Sequence, residues 1–151
     1  MIVRIEKKAR LLTVLHDGGE LFTARVALGP EPAGAKRRAG DGKTPEGLYH
    51  ICLFKEKGKY GLSLGLDYPG PVDAETAFIE GRIDGQAFRA ILSAHAEGRR
   101  PPWGTALGGE IYLHGGGSFR DWTQGCIALD QEDMARLFKI RRRIQAVEIL
   151  P

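Results

Sequence analysis

The stretch Tyr112–Asp130, YLHGGGSFRDWTQGCIALD, holds one of four histidines, one of two cysteines, one of two tryptophans and four glycines. Short apolar runs, YLH and CIAL, stand at its two ends, and a polar, glycine-rich loop over residues 115–125 joins them. That pattern predicts two strand ends meeting at one rim of a sheet, with His114 closing the first and Cys126 opening the second. A thiol attacks only as thiolate, and a neighbouring imidazole is the commonest means of making one near neutral pH. Gly115 beside the histidine and Gly125 before the cysteine allow close backbone approach. The backbone N–H groups of Gly125 and Cys126 could hold a tetrahedral oxyanion, and the Gly115 carbonyl could orient the imidazole through its second nitrogen. The constellation suits acyl transfer. Its plain competitors are a packed strand cysteine and a satisfied histidine. A zinc site is poor, because no further His or Cys lies nearby and no Cys-x-x-Cys spacing exists.

Outward from this stretch the pattern is β-rich. Asp130 is a good N-cap for a helix whose Met134, Leu137 and Phe138 share one face, with Lys139 and Arg141 to Arg143 favouring its carbonyl end. AVEIL, residues 146–150, is a closing strand. GQAFRAILSAHAEG, residues 85–98, spaces Phe88, Ile91, Leu92 and Ala96 as a helix does and stops at Gly98. Residues 2–29 read as two strands around a tight turn at Asp17-Gly18-Gly19, with Leu12, Val14, Phe22 and Val26 inward. Residues 30–47, dense in Pro, Gly and charge, predict a surface loop. LYHICLF, residues 48–54, predicts a buried strand in which Cys52 is an inert apolar residue. GLSLGLDYPG, residues 61–70, predicts a short strand ending in a turn. The expectation is a mainly β, α+β chain, sandwich-like with two short helices, forming one domain over 1–151.

The totals set limits. A chain of 151 residues can build a core without disulfides or metal. Its 42% hydrophobic and 27% charged content is that of an ordinary globular protein. The 21 glycines point to many turns. A net charge of +3, spread along the chain, argues for a solvated surface over nucleic-acid binding. Two cysteines make no disulfide framework. No apolar run has the length of a membrane span, and the start MIVRIEKKARLL lacks the apolar segment of a signal peptide, so the chain as given is expected to be soluble with no export signal.

Two motifs mislead. GDGKT, residues 40–44, suggests a phosphate loop, but Arg37 stands where that motif needs its first glycine and Pro45 blocks the helix that should follow. GLSLG, residues 61–65, matches a nucleophile elbow around Ser63, and HGGG, residues 114–117, an oxyanion loop. Their order is reversed relative to serine hydrolases of that type, and no helix pattern follows Ser63.

Taken together, IYLHGGGSFRDWTQGCIALD resembles the signature of the YkuD-type L,D-transpeptidases: His-Gly, a variable stretch, Ser or Thr, one residue, Gly-Cys and an apolar residue. GDGKTPEGLYHI resembles that family's Thr-Pro-x-Gly-x-Tyr segment, KYGLSLGLDYP the strand after it, and the opening hairpin fits too. The resemblance implies a β-sandwich-like domain with Cys126 as nucleophile, His114 as base and Gly115 as the residue whose carbonyl orients His114. It implies attack on peptidoglycan tetrapeptide stems, release of D-alanine through a thioester, and 3-3 crosslinks when a neighbouring amine resolves it. Water as acceptor would instead give an L,D-carboxypeptidase or crosslink-cleaving peptidase, and a degenerate site a peptidoglycan-binding module. Tyr60, Ser118, Arg120, Trp122, Thr123 and Gln124 are expected along the substrate groove. A carbapenem adduct on Cys126, a cell-envelope location, and no metal or organic cofactor are also implied. Three departures stand out. Gln124 replaces the usual His before Gly-Cys, and Ala128 replaces the Arg that often follows the triplet; Arg120 is the candidate substitute anchor, against its plainer reading as a loop-surface arginine. The His-to-Cys stretch is also shorter than in many members, which predicts a more open groove.

Overall fold

The computed structural model describes all 151 residues. Its first 27 residues form three strands where the sequence pattern predicts two: β1 (Ile2–Glu6), β2 (Leu11–His16) and β3 (Gly19–Ala27). The extra break is a turn over residues 7–10 in which Arg10 takes φ 52°. The expected turn at Asp17 and Gly18 joins β2 to β3. Alternation puts Val3 and Ile5 of β1, Leu12 and Val14 of β2 and Val26 of β3 into the core. Phe22, opposite Val14, is half-buried against that core and lies under the Arg136 guanidinium.

LYHICLF also divides. β4 (Gly47–Tyr49) pairs with the last strand, and β5 (Ile51–Gly58) pairs with β6 (Gly61–Leu66), so one apolar run serves two ends of the sheet. β7 (Tyr112–His114), β8 (Ile127–Leu129) and β9 (Ala146–Leu150) complete nine strands in the order β4-β9-β1-β2-β3-β8-β7-β6-β5. β3 is the hinge of this sheet: residues 19–25 pair with β2, while Val26 and Ala27 pair with β8. The result is mostly β and nearly closed on itself, around a core of 25 buried residues.

Three α-helices are present, one more than the sequence pattern predicts. α1 (Pro71–Ile79) is the addition, α2 (Gly85–Ala96) and α3 (Gln131–Lys139) the two expected. The signals for α1 are visible in retrospect: Pro71 at the first helical position and Asp73 accepting from the Gly70 N–H at 2.8 Å. α2 buries Ile91 and Ala94 fully, whereas the expected inward Ala96 is exposed and Phe88 and Leu92 are half-covered. α3 buries Met134, Leu137 and Phe138 as its spacing predicts, and packs on β6. Each such fully buried aliphatic side chain contributes roughly 1.5–3 kcal/mol.

The segment 30–47 follows the surface but is not a free loop. Lys7, almost wholly buried at the end of β1, donates through Nζ to the Gly34 carbonyl (2.6 Å), the Thr44 carbonyl (3.0 Å) and Glu46 (3.1 Å). Lys36, also buried, pairs with Asp41 at 3.0 Å, and Asp41 accepts the N–H groups of Arg37, Arg38 and Lys43. Lys7 thus ties the segment to the end of β1, while Lys36 and Asp41 brace it internally. No helix is long and apolar enough to cross a membrane.

Candidate active site

β7 and β8 run parallel, with Leu113 opposite Ile127 and His114 opposite Ala128. Alternation then sends Leu113 and Ile127 into the core and His114 and Cys126 to the other face, two residues apart in register. Ser63 of β6 pairs with His114 on that same face. His114, Cys126 and Ser63 line one cleft of about 380 Å³, whose walls add Lys55, Lys59, Tyr60, Tyr112, Trp122 and Gln124. A second arm of about 640 Å³ opens from Cys126 and Gln124 toward Lys36, Trp103 and Gly108–Glu110. The sulfur sits where the two arms meet.

The histidine is fixed from three sides. Its Nδ1 lies 2.6 Å from the Gly115 carbonyl, as expected, which makes Nδ1 the protonated nitrogen of the neutral ring and leaves Nε2 as the base. Tyr60, in the β5–β6 turn, stacks on the imidazole with centroids 4.4 Å apart and planes 17° apart. Trp122 meets both rings edge-on, at 5.6 Å from His114 and 5.1 Å from Tyr60. Burial lowers the His114 pKa, with the Gly115 carbonyl opposing.

The cysteine is held by backbone. Its Sγ accepts from the Tyr112 N–H at 3.4 Å and donates to the Glu110 carbonyl at 3.4 Å. Burial raises the thiol pKa; the Tyr112 N–H opposes that shift and the Glu110 carboxylate reinforces it. The resting pair is therefore a thiol and a neutral imidazole. No hydrogen bond joins Sγ to the ring, and burial favours the uncharged form of both groups. Cys52, off both arms, is half-buried and its thiol is pushed up to about 11 by burial.

The turn that presents Cys126 is braced by two threonines. Thr123 Oγ1 donates to the Cys126 carbonyl at 2.8 Å and accepts from the Gly125 N–H at 3.2 Å. The Gly125 half of the expected oxyanion pair is thus already engaged, and only the Cys126 N–H remains of that expectation. Thr44, fully buried, donates from Oγ1 to the Gly125 carbonyl at 2.8 Å. Gly125 has φ 129°, and a Cβ there would lie 2.7 Å from the Lys43 carbonyl oxygen, so only glycine fits. The Thr-Pro segment and the Gly-Cys segment, some eighty residues apart, form one clasp.

The remaining expected residues divide. Tyr60, Trp122, Thr123 and Gln124 line the cleft, and Trp122 also pins its loop by donating from Nε1 to the Gly117 carbonyl at 2.9 Å. Ser118 does not line it. It is buried, and Asp130 accepts from both its N–H (2.9 Å) and its Oγ (3.0 Å), so the Asp130 side chain faces Ser118 and makes no cap hydrogen bond to α3. Arg120 is exposed over Phe119 and lines neither arm, so it is not placed to replace an arginine at position 128. Ala128 itself is fully buried beside His114. The cations on the first arm are Lys55 and Lys59, 4.8 and 5.4 Å from the ring centres of Tyr112 and Tyr60. Sequence reasoning missed both, along with Thr44 and Glu110. A lysine in a strand, another in the turn after it and a glutamate in a loop carry no local signal of a cleft. No three His, Cys, Asp or Glu side chains converge as a metal-ligating group.

Residues 1–149 match the model of the YkuD family, the L,D-transpeptidase catalytic domain. Among solved structures, an L,D-transpeptidase from Xylanimonas cellulosilytica is similar over 98% of this chain and 59% of its own, at 13% identity and TM-score 0.57. Bd1075 from Bdellovibrio bacteriovorus matches over 99% of this chain and 46% of its own, at 18% identity and TM-score 0.59. LdtMt1 in complex with imipenem matches over 99% and 58%, at 15% identity and TM-score 0.52. The chain thus spans about half to three-fifths of these proteins, and the likeness at such identities is one of fold. No curated protein matches the chain.

Proposed function

The chain belongs to the L,D-transpeptidase catalytic domain family, and from that premise we propose that it is a cysteine acyltransferase of the cell envelope acting on peptidoglycan tetrapeptide stems. The observation that carries this reading is the shared face of His114 and Cys126: the imidazole is oriented by Gly115 with Nε2 free, at the same cleft as the sulfur. A packed strand cysteine would point into the core, as Ile127 does.

The chemistry follows from the resting state. A stem peptide lies along the first arm with a carboxylate near Lys55 and Lys59, in the role the family gives to an arginine. As the sulfur closes on the carbonyl between the L-centre residue and D-alanine, the thiol proton passes to Nε2 of His114 and a carbon–sulfur bond forms. The Cys126 N–H supports the oxyanion. The depressed His114 pKa makes its imidazolium a stronger acid, suited to protonate the leaving amine as the carbon–nitrogen bond breaks. D-Alanine departs and a thioester on Cys126 remains. An incoming amine attacks it, its proton returns through His114 to sulfur, and a 3-3 crosslink forms. Water in the same position gives a trimmed tripeptide.

Purified disaccharide-tetrapeptide tests this. Release of D-alanine with dimers is expected, and Cys126→Ser should abolish it while the Tm holds, because a serine hydroxyl is a far weaker nucleophile without a tuned base. D-Alanine with tripeptides alone would make the protein a carboxypeptidase. Binding without either product would make it a peptidoglycan-binding module and end the enzyme reading. A carbapenem should add one adduct mass at Cys126 and none at Cys52.

A further inference from the structure

Glu110 is the one carboxylate lining either arm of the cleft, and it lines both. The other charged walls are cationic: Lys55 and Lys59 on one arm and Lys36, already paired with Asp41, on the other. Glu110 itself is exposed, and its side chain makes no ion pair or hydrogen bond within the chain. Its backbone is nonetheless tightly placed. It holds φ 56°, a conformation that a non-glycine residue keeps only where its surroundings impose it. Trp103 packs so closely on Gly109 that a Cβ there would overlap the indole, and the buried Ile111 carbonyl accepts from the Leu66 N–H at 2.8 Å. The Glu110 carbonyl accepts from Cys126 Sγ. A backbone held in place thus presents an unpaired carboxylate at the seam of the two arms, on the residue whose carbonyl meets the nucleophile.

For the first half-reaction this placement is adverse, since a negative charge there disfavours the thiolate. A gain must come at another step. Once the thioester has formed the sulfur carries no charge, and the group that must next arrive is an amine, an ammonium ion near neutral pH. We propose that Glu110 is the acceptor-recognition residue, holding the ammonium of the incoming primary amine at the seam and biasing the thioester toward aminolysis over hydrolysis. This rests on the acyltransferase reading above. The ammonium sheds one proton to solvent, the free amine attacks the thioester carbon, the carbon–sulfur bond breaks, and the amine's second proton reaches sulfur through His114. The acceptor amine is that of a second stem peptide or of a free D-amino acid.

The test uses the whole chain, disaccharide-tetrapeptide as donor, and two acceptors in separate arms: a diaminopimelate-containing tripeptide and free D-methionine. Glu110→Gln should raise the acceptor KM and lower the product-to-hydrolysis ratio by about tenfold, the scale of one modest charge contact. Iodoacetamide should modify Cys126 faster in Glu110→Gln than in the wild type, because a charge opposing the thiolate is gone. Glu110→Asp should recover most of the acceptor selectivity. The arm that responds identifies the acceptor's source. An unchanged ratio and KM in both arms overturns the proposal, and so does a fall in aminolysis matched by an equal fall in alkylation, which marks a merely structural effect. Wild-type protein that releases D-alanine yet transfers to neither amine also overturns it, leaving the thioester chemistry intact. No D-alanine from the wild type sinks the underlying reading instead.

Discussion

Replacing Thr44 by valine tests the clasp between the two motifs. Valine keeps the shape of threonine but removes the hydroxyl that donates to the Gly125 carbonyl at 2.8 Å. Thr44 has no solvent exposure, so water cannot take over the lost bond. A buried carbonyl left without its partner costs about 1–3 kcal/mol. For a chain of this size that lowers the Tm by roughly 2–10 °C. The functional effect should exceed what this loss of stability alone would cause. Gly125 and Cys126 share the peptide unit whose oxygen Thr44 holds, and a shift of about 1 Å at a reacting atom can cost on the order of 100-fold in rate. We therefore expect Thr44→Val to acylate Cys126 with a carbapenem roughly 10- to 100-fold more slowly at a temperature where the variant is fully folded. Thr44→Ser keeps the hydroxyl and loses one methyl group, so it should melt lower yet acylate at near wild-type rate. Adduct formation followed by intact mass, beside a thermal melt, separates the two effects. If Thr44→Val acylates as fast as the wild type, the clasp does not position the sulfur and the reasoning is wrong.

Two further outcomes follow from the same geometry. With the His114 pKa depressed below its ordinary 6.5 and the Cys126 pKa raised above its ordinary 9.0, the imidazole stays neutral and basic into mildly acid solution while the thiol holds its proton. Acylation should retain its base-catalysed rate below pH 6.5, and iodoacetamide labelling of Cys126 should keep rising beyond pH 9. A labelling plateau near pH 7 would show a preformed ion pair instead. Gly125→Ala meets the Lys43 carbonyl oxygen at 2.7 Å in a backbone conformation that L side chains rarely adopt. It should lower stability by at least 1 kcal/mol and abolish acylation, read by melt and adduct mass; unchanged values would refute the close approach.

Much of the site was legible because it lies in one short stretch. His114 and Cys126 stand at strand ends that glycines mark, and period-two alternation around Leu113 and Ile127 places both on one face. The Gly115 carbonyl is adjacent in sequence to the ring it orients, so its role needed no tertiary knowledge. Ser118 and Arg120 lay in the same loop and looked equally available, yet Asp130 draws one inward and the other turns away to solvent. Helix α1 was overlooked because its exposed Val72, Phe78 and Ile79 blur the two-sided pattern by which such elements are recognised.

Local sequence determined which residue types could do chemistry, because a nucleophile, its base and its glycine neighbours must be close along strands whose side chains alternate in a fixed way. It determined most strands and two helices for the same reason. Only the tertiary structure decided what surrounds the sulfur: Thr44 beneath its turn, Lys55 and Lys59 on one wall, Glu110 at the seam and a thiol that keeps its proton. Those properties arise from segments brought together by the nearly closed sheet and by the buried Lys7. Burial and charge at a point depend on everything within a few ångströms, whatever its distance along the chain.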